Sequence, residues 1–318
     1  MKLRYRLLLC FVVPLFPASF ACAQSETHFT HYWEVDNLFN PAAMNKNELM
    51  NFSGSFGLGM AGYTRAPRSM FFGVNTLLPY GRKAHSGGLI MLNESAGLFQ
   101  HTRLYLNYAF KIKLKEGNLN VGFQAGFLSE SFNSQDLRIV DQNDPAFPSG
   151  NNDGDAVDFG TGLYYQLGGT YIGVSAQHLG SPVVYYGKEA GATARLEIDP
   201  SLYFSGGCNI QLRNPLLSLQ PCFLVMTDLD SKRIDLTLRG YYQYGGNRFY
   251  CGLSYSPKAS VTVLLGGVIG KVKFGYAYQM YTSGVGYLNG SHDLFVGYSK
   301  EVVFFKKGKN AHKSVRYL

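Results

Sequence analysis

Asn118–Leu128 reads NLNVGFQAGFL, with Leu119, Val121, Phe123, Ala125 and Phe127 on one set of alternate positions and Asn120, Gly122, Gln124 and Gly126 on the other. Lys271–Tyr281 reads KVKFGYAYQMY and separates Val272, Phe274, Tyr276, Tyr278 and Met280 from Lys271, Lys273, Gly275, Ala277 and Gln279 in the same way. Successive side chains of a strand point to opposite faces, so this is a period of two. The alternation recurs from Asn51 to about Phe305 and predicts about fourteen antiparallel strands. They run near 51–64, 67–78, 86–94, 101–114, 118–131, 157–167, 170–179, 196–212, 216–227, 233–244, 247–256, 259–269, 271–281 and 291–304. One face is apolar and aromatic, while the other is rich in glycine and charge, as suits a wet lumen. The expected fold is all-β, a transmembrane barrel of the outer-membrane type.

The connections sort by parity. Those after the second, fourth, sixth, eighth, tenth and twelfth strands are tight, including KEGN, GG at 168–169, RNP and GG at 245–246. The long ones, 132–156, 180–195 and 282–290, follow the fifth, seventh and thirteenth strands. Short periplasmic turns and long outer loops are the rule for such barrels, so both termini are expected on the periplasmic side.

The first residues read as a secretory signal. Lys2, Arg4 and Arg6 precede an apolar run from Leu7 to about Phe16, and Ala21-Cys22-Ala23 offers a small-x-small cleavage site. The expected division is a cleaved signal peptide over 1–23, a periplasmic segment over 24–50, the barrel over 51–305 and a basic tail over 306–318. Beyond the signal no run of about 18 apolar residues suggests a spanning helix. The mean hydropathy of -0.07 fits strands that are half apolar and half polar. Cys10 and Cys22 leave with the signal. Cys208, Cys222 and Cys251 remain, an odd number that sets up no disulfide framework, and they read as small wall residues.

Charge is distributed more tellingly than its total of +8 suggests. Between the signal and the tail it balances, so after cleavage the excess lies in Lys306, Lys307, Lys309, Lys313 and Arg316. Arg82, Lys83, Lys111, Lys113, Lys115, Arg213, Arg248, Lys271 and Lys273 fall near the tight-turn end, whereas Asp136, Asp141, Asp144, Asp153, Asp155, Asp158, Glu189, Glu197 and Asp199 fall near the long connections. Either these are ordinary charged rims, or Arg82, Lys83, Lys115, Arg213 and the tail form a docking face for an acidic periplasmic partner.

Residues that carry chemistry are sparse. Asp153-Gly154-Asp155 lacks the ligand register and closing Glu of a calcium-binding EF-hand and reads as solvated loop carboxylates. The seven histidines make no HExxH, no Ser sits in a GxSxG elbow, and the glycines follow strand alternation without opening helices. No catalytic residue, metal or cofactor is expected, nor a nucleic-acid ligand.

Four segments carry a resemblance. HFTHYWEVDNLFNPAA (28–43) contains Asn40-Pro41-Ala42, and Asn143-Asp144-Pro145 opens NDPAFP. YIGVSAQHLGSP (171–182) contains His178, and Gly290-Ser291-His292-Asp293 lies in the closing stretch 276–298. Together and in this order they resemble the PorP/SprF family of outer-membrane proteins of the type IX secretion and gliding apparatus of Bacteroidetes. The chain departs from that pattern in lacking a first Asn-Pro, having Glu34-Val35-Asp36 there, and in carrying Asp293 where Glu is usual. Physically, Asn40-Pro41 suits an extended-to-turn step, and His178 and His292 are expected at the outer rim, holding loops.

The resemblance implies an outer-membrane component of type IX secretion that binds and does not catalyse. Its partners would be membrane lipid, periplasmic and outer-membrane parts of the machine, or the C-terminal domain of a secreted surface protein. The rival expectation is a solute-conducting, porin-like barrel, its lumen lined by Arg103, Lys111, Asp235, Arg239, Lys271 and Lys273.

Overall fold

The computed structural model describes residues 28–44, 49–78, 85–133, 151–186, 194–228, 231–283 and 289–301. The signal sequence, the tail from 306 onward, and Arg82, Lys83, Asn143, Asp144 and Pro145 lie outside the described residues.

Every strand of the main sheet pairs antiparallel with its neighbours. The run begins β1 (Leu49–Leu58), β2 (Arg68–Leu78), β3 (His85–Ala96), β4 (Phe99–Lys113), β5 (Asn118–Asn133), β6 (Asn151–Leu167) and β7 (Thr170–Gln177). A small hairpin, β8 (Val183–Tyr186) with β9 (Ala194–Glu197), interrupts the series. The sheet resumes with β10 (Ser201–Cys208) and β11 (Ile210–Gln211), two pieces of one stave that both pair with β12 (Leu217–Thr227). It ends with β13 (Lys232–Tyr244), β14 (Asn247–Ser256), β15 (Ser260–Ile269), β16 (Val272–Tyr281) and β17 (Ser291–Glu301). Closure comes from β1 on β17, in the register Phe52↔Tyr298 and Ser55↔Phe295. The result is a closed barrel of fourteen staves with no open edge.

The stave positions follow the sequence pattern, with local departures. The first strand stops at Leu58 because Met60, Gly62 and Arg65 adopt positive φ and turn the chain. The sixth strand starts at Asn151 and not at 157, so Asp153 and Asp155 stand on a strand opposite Ser131 and Ser129. The stretch 180–200 was expected to be loop followed by strand. It instead contains the β8–β9 hairpin, whose Val184 is fully buried against Leu128, beside Ala156 and Ile198. At Gly245-Gly246 both residues have positive φ, the two-residue connection that matches strand twist in a hairpin.

The outer wall is apolar. Met70, Phe72, Leu104, Leu106, Phe127, Ile172, Leu253 and Val296 are all exposed, as a lipid-facing band requires. Exposed rings flank it, with Phe99, Tyr255 and Tyr278 toward the long connections and Tyr108, Tyr242, Tyr244 and Tyr298 toward the tight turns. No described helix is long and apolar enough to cross a membrane.

Inside, the expected wet lumen is occupied by protein. Residues 28–44, part of the 24–50 segment that the sequence leaves either plugging the lumen or outside it, lie within the barrel. Phe29, Tyr32, Trp33, Val35, Leu38 and Phe39 form one buried cluster with wall residues Phe71, Ile90, Tyr105, Tyr203, Leu224, Tyr241, Tyr250 and Phe295. Barrels of about eight strands are filled by their own side chains, while those of about 16–18 leave a water channel. Fourteen staves enclose more space than side chains fill, and a chain segment fills it.

Candidate functional site

The feature with functional content is this plug and the wall that receives it. The plug's first described residue, His28, lies beside Asp235, with Nε2 3.3 Å from the carboxylate and 2.9 Å from the Arg233 guanidinium. These residues are at the long-connection end, since Arg233 stands next to the β12–β13 connection. The plug then descends. Thr30 donates its backbone N–H to Asp293 Oδ2 at 2.7 Å and its hydroxyl to the same oxygen, while Ser55 donates to Asp293 Oδ1 at 3.0 Å. Deeper in, the Tyr32 hydroxyl meets Thr237 Oγ1 at 3.0 Å and Cys222 Sγ at 3.2 Å. Glu34, toward the tight-turn end, accepts from Lys273 Nζ at 2.9 Å.

The second half turns back and is held through its backbone. Gln177 donates to the carbonyl of Leu38 at 2.5 Å, Ser175 to that of Phe39 at 2.6 Å, and Asn107 to that of Asn37 at 3.0 Å. A short helix, Asp36–Phe39, runs into a 3-10 turn, Pro41–Ala43, and Asn40 joins them. The Asn40 Oδ1 caps the turn by accepting from the Ala42 N–H at 2.9 Å. Its Nδ2 donates to the wall carbonyls of Leu163 at 3.0 Å and Val174 at 3.3 Å. Asn120 closes the path by donating to the carbonyls of Ala42 and Met44. Buried backbone without a regular partner must find donors and acceptors elsewhere, and here inward Asn, Gln and Ser supply them.

Inward glycines make the room. A Cβ at Gly173 would stand 2.9 Å from Asn40 Nδ2, one at Gly88 2.7 Å from Met44 Sδ, and one at Gly122 or Gly162 would collide with Ala42 or Asn40 outright. Real Cβ atoms essentially never come so close, so Gly122 and Gly162 admit the plug only without side chains, while at Gly88 the flexible end of Met44 would have to shift.

The motif residues separate accordingly. Asn40, Pro41 and Ala42 are the buried hinge of the plug, and Asp293 is its anchor. Ser291 is buried and takes the N–H of Met60 at 3.0 Å, while the carbonyl of Gly290 takes that of Ala61 at 2.9 Å, so this pair ties the β1–β2 connection to the rim. His178 is fully buried with positive φ, its Nδ1 2.8 Å from Asp158 Oδ2, which also accepts from the Tyr105 hydroxyl at 2.7 Å. Asp158, read from sequence as an outer-loop charge, is thus part of an internal network. His292 faces outward against Tyr276, at 2.8 Å, and Tyr278.

Of the docking residues, Lys115 and Arg213 are exposed on tight turns at one end, on staves separated by β6 and β7. Arg248 and Lys273, grouped with that rim from sequence, point into the lumen: Arg248 stacks on Tyr241 and Lys273 holds Glu34. Sequence reasoning missed the plug residues Phe29, Trp33 and Phe39. The signal for them is an apolar, aromatic stretch that has no period of two yet precedes strands with inward glycines.

Asp293→Ala should test the anchor. It strands the Thr30 N–H and hydroxyl in a buried site, at about 1–3 kcal/mol for each unsatisfied group. Hydrogen exchange over residues 28–35 is expected to accelerate by at least about tenfold per 1.4 kcal/mol lost, with the barrel strands unchanged.

A family model described as "Type IX secretion system membrane protein PorP/SprF" matches residues 21–298. No curated protein matches the chain. Solved structures similar to it include the CymD monoaromatic hydrocarbon channel, 14% identical, with a TM-score of 0.49 over 83% of this chain and 92% of that one. A FadL homologue of Pseudomonas aeruginosa is 11% identical, with a TM-score of 0.49 over 82% and 92% of the two chains. OmpF of Salmonella typhi is 8% identical, with a TM-score of 0.34 over 79% and 96%.

Proposed function

The chain belongs to the PorP/SprF family of type IX secretion system membrane proteins, and from that premise we propose that it is an outer-membrane scaffold which works by binding. It holds periplasmic parts of the secretion machine, or a secreted surface protein, at the membrane, and it carries out no catalysis.

The observation that supports this reading over a porin-like one is the plug. A solute channel needs a continuous aqueous path, and residues 28–44 occupy it with buried rings and wall-bonded backbone. Arg103, Asp235 and Arg239, which would line such a channel, are each less than a tenth exposed. The apolar outer wall with its flanking rings fits residence in the outer membrane. By the loop rule for such barrels the tight-turn end faces the periplasm. Exposed Lys115 and Arg213 mark that end, and β17, which the basic tail follows in sequence, ends there.

The test is co-purification of periplasmic machine components with the full chain and with a chain ending at 305. Removing five basic residues should reduce capture about tenfold or more, and added salt should reduce capture by the full chain in the same direction. Equal capture by both chains, with equal secretion of type IX cargo, would overturn the docking role of the tail.

A further inference from the structure

A cavity of about 230 Å³ lies between the plug and the tight-turn ends of the wall, lined in part by Trp33, Glu34, Arg239, Tyr241, Arg248 and Lys273. Its charged groups are three cations and one carboxylate, and that carboxylate is already engaged by Lys273 at 2.9 Å. Arg239, Arg248 and Lys273 thus share a single carboxylate, Glu34, and the lining carries two positive charges in excess. Arg239 is 4% exposed, lies 3.9 Å over the Trp33 ring, and donates to the Tyr241 hydroxyl at 2.8 Å and to Cys222 Sγ at 3.6 Å. Its Nε has no hydrogen-bond partner. Arg248 lies 3.9 Å over the Tyr241 ring and donates to Ser218 Oγ at 3.3 Å.

Two cations in excess around a partly enclosed space favour an anion there, and the rings beside them suit an apolar body. Stacking on Trp33 and Tyr241 fixes the guanidinium planes without neutralising them. We propose that this cavity binds a carboxylate carried on a small aromatic or apolar body. The carboxylate takes guanidinium donors of Arg248, and the body lies among the rings. The volume falls below the roughly 300–1,000 Å³ of drug-sized pockets, so the occupant is a small acid or the last residue of a chain terminus. The site does not depend on the basic tail or on any docked partner.

Trp33 is the single tryptophan of the chain, so its fluorescence reports on the site directly. The purified full-length protein in detergent is titrated with phenylacetate, phenylacetamide, N-acetylphenylalanine and inorganic phosphate. Phenylacetate should perturb the Trp33 emission saturably, and the neutral amide should bind at least about tenfold more weakly. Tighter binding of N-acetylphenylalanine than of phenylacetate assigns the site to a chain terminus, and the reverse order assigns it to a free acid. Arg248→Gln should weaken the acid by about tenfold or more, and Arg248→Lys, which keeps charge but loses the fork, by less. Equal binding of acid and amide, phosphate binding as tightly as the acid, or no saturable response overturns the proposal. The acid–amide comparison uses the wild-type chain, so a misfolded variant cannot decide the result.

Discussion

Deleting residues 28–44 should turn a silent barrel into a conducting one. In planar bilayers the full chain is expected to give no unit steps, because its lumen is filled by buried rings. Without the plug, the inward face retains Asn107, Asn120, Gln124, Ser175, Gln177, Asp235, Thr237 and Arg239, all buried now and wettable once the segment is gone. Barrels only slightly larger hold aqueous channels, so discrete steps should appear at once. The wall should survive the deletion because its backbone bonds run strand to strand and close through β1 and β17. The cost is the burial of Phe29, Tyr32, Trp33, Leu38 and Phe39, on the order of 1.5–3 kcal/mol for each side chain at full burial. Heat-dependent electrophoretic mobility reports whether the barrel is still closed. A closed, plug-less barrel that stays silent would show that something other than the plug blocks the path, and would remove the main support for the scaffold reading.

The second large effect concerns glycine. Gly122→Ala and Gly57→Ala make the same chemical change on the same inward face. At Gly122 the new Cβ collides with backbone atoms of Pro41 and Ala42, whereas at Gly57 its nearest neighbour is the Cβ of Ser69 at 3.9 Å. Backbone cannot rotate out of the way as a long side chain does. Gly122→Ala should therefore cost about 1–3 kcal/mol as overpacking and displace the plug locally. Gly57→Ala should stay within about 0.5 kcal/mol, or gain slightly because alanine has less freedom to lose on folding. Trp33 emission separates the two, since a displaced plug carries that ring toward water and shifts its emission to the red. Equal behaviour of the two variants would mean that the plug does not seat against Gly122.

These outcomes also mark what could be read in advance. The staves were legible because alternation is local: Leu119 through Phe127 declare their face from nine residues of sequence. Loop parity was legible for the same reason, and it separated a tight-turn end from a long-connection end before any pairing was known. The β8–β9 hairpin was not, since Val183–Tyr186 is a short apolar run set among glycines that declares no face of its own. Asp158 and Arg248 were misplaced because charge alone says nothing about which side of a strand rim a side chain takes. Asp158 goes inward to Tyr105 and His178, and Arg248 inward onto Tyr241.

The plug is the clearest division. HFTHYWEVDNLFNPAA has neither a strand period nor a helix long enough to stand alone, and its partners lie far along the chain, with Thr30 bonded to Asp293 and Asn40 to Leu163. By itself the sequence determined an alternating wall of fourteen strands, its apolar outer face and its two unlike ends, because each depends on neighbours a few residues apart. Only the tertiary structure decided that the polar, glycine-rich face receives a folded segment in place of water. That choice depends on the space left when distant strands close, and on which glycines then stand opposite Asn40 and Ala42.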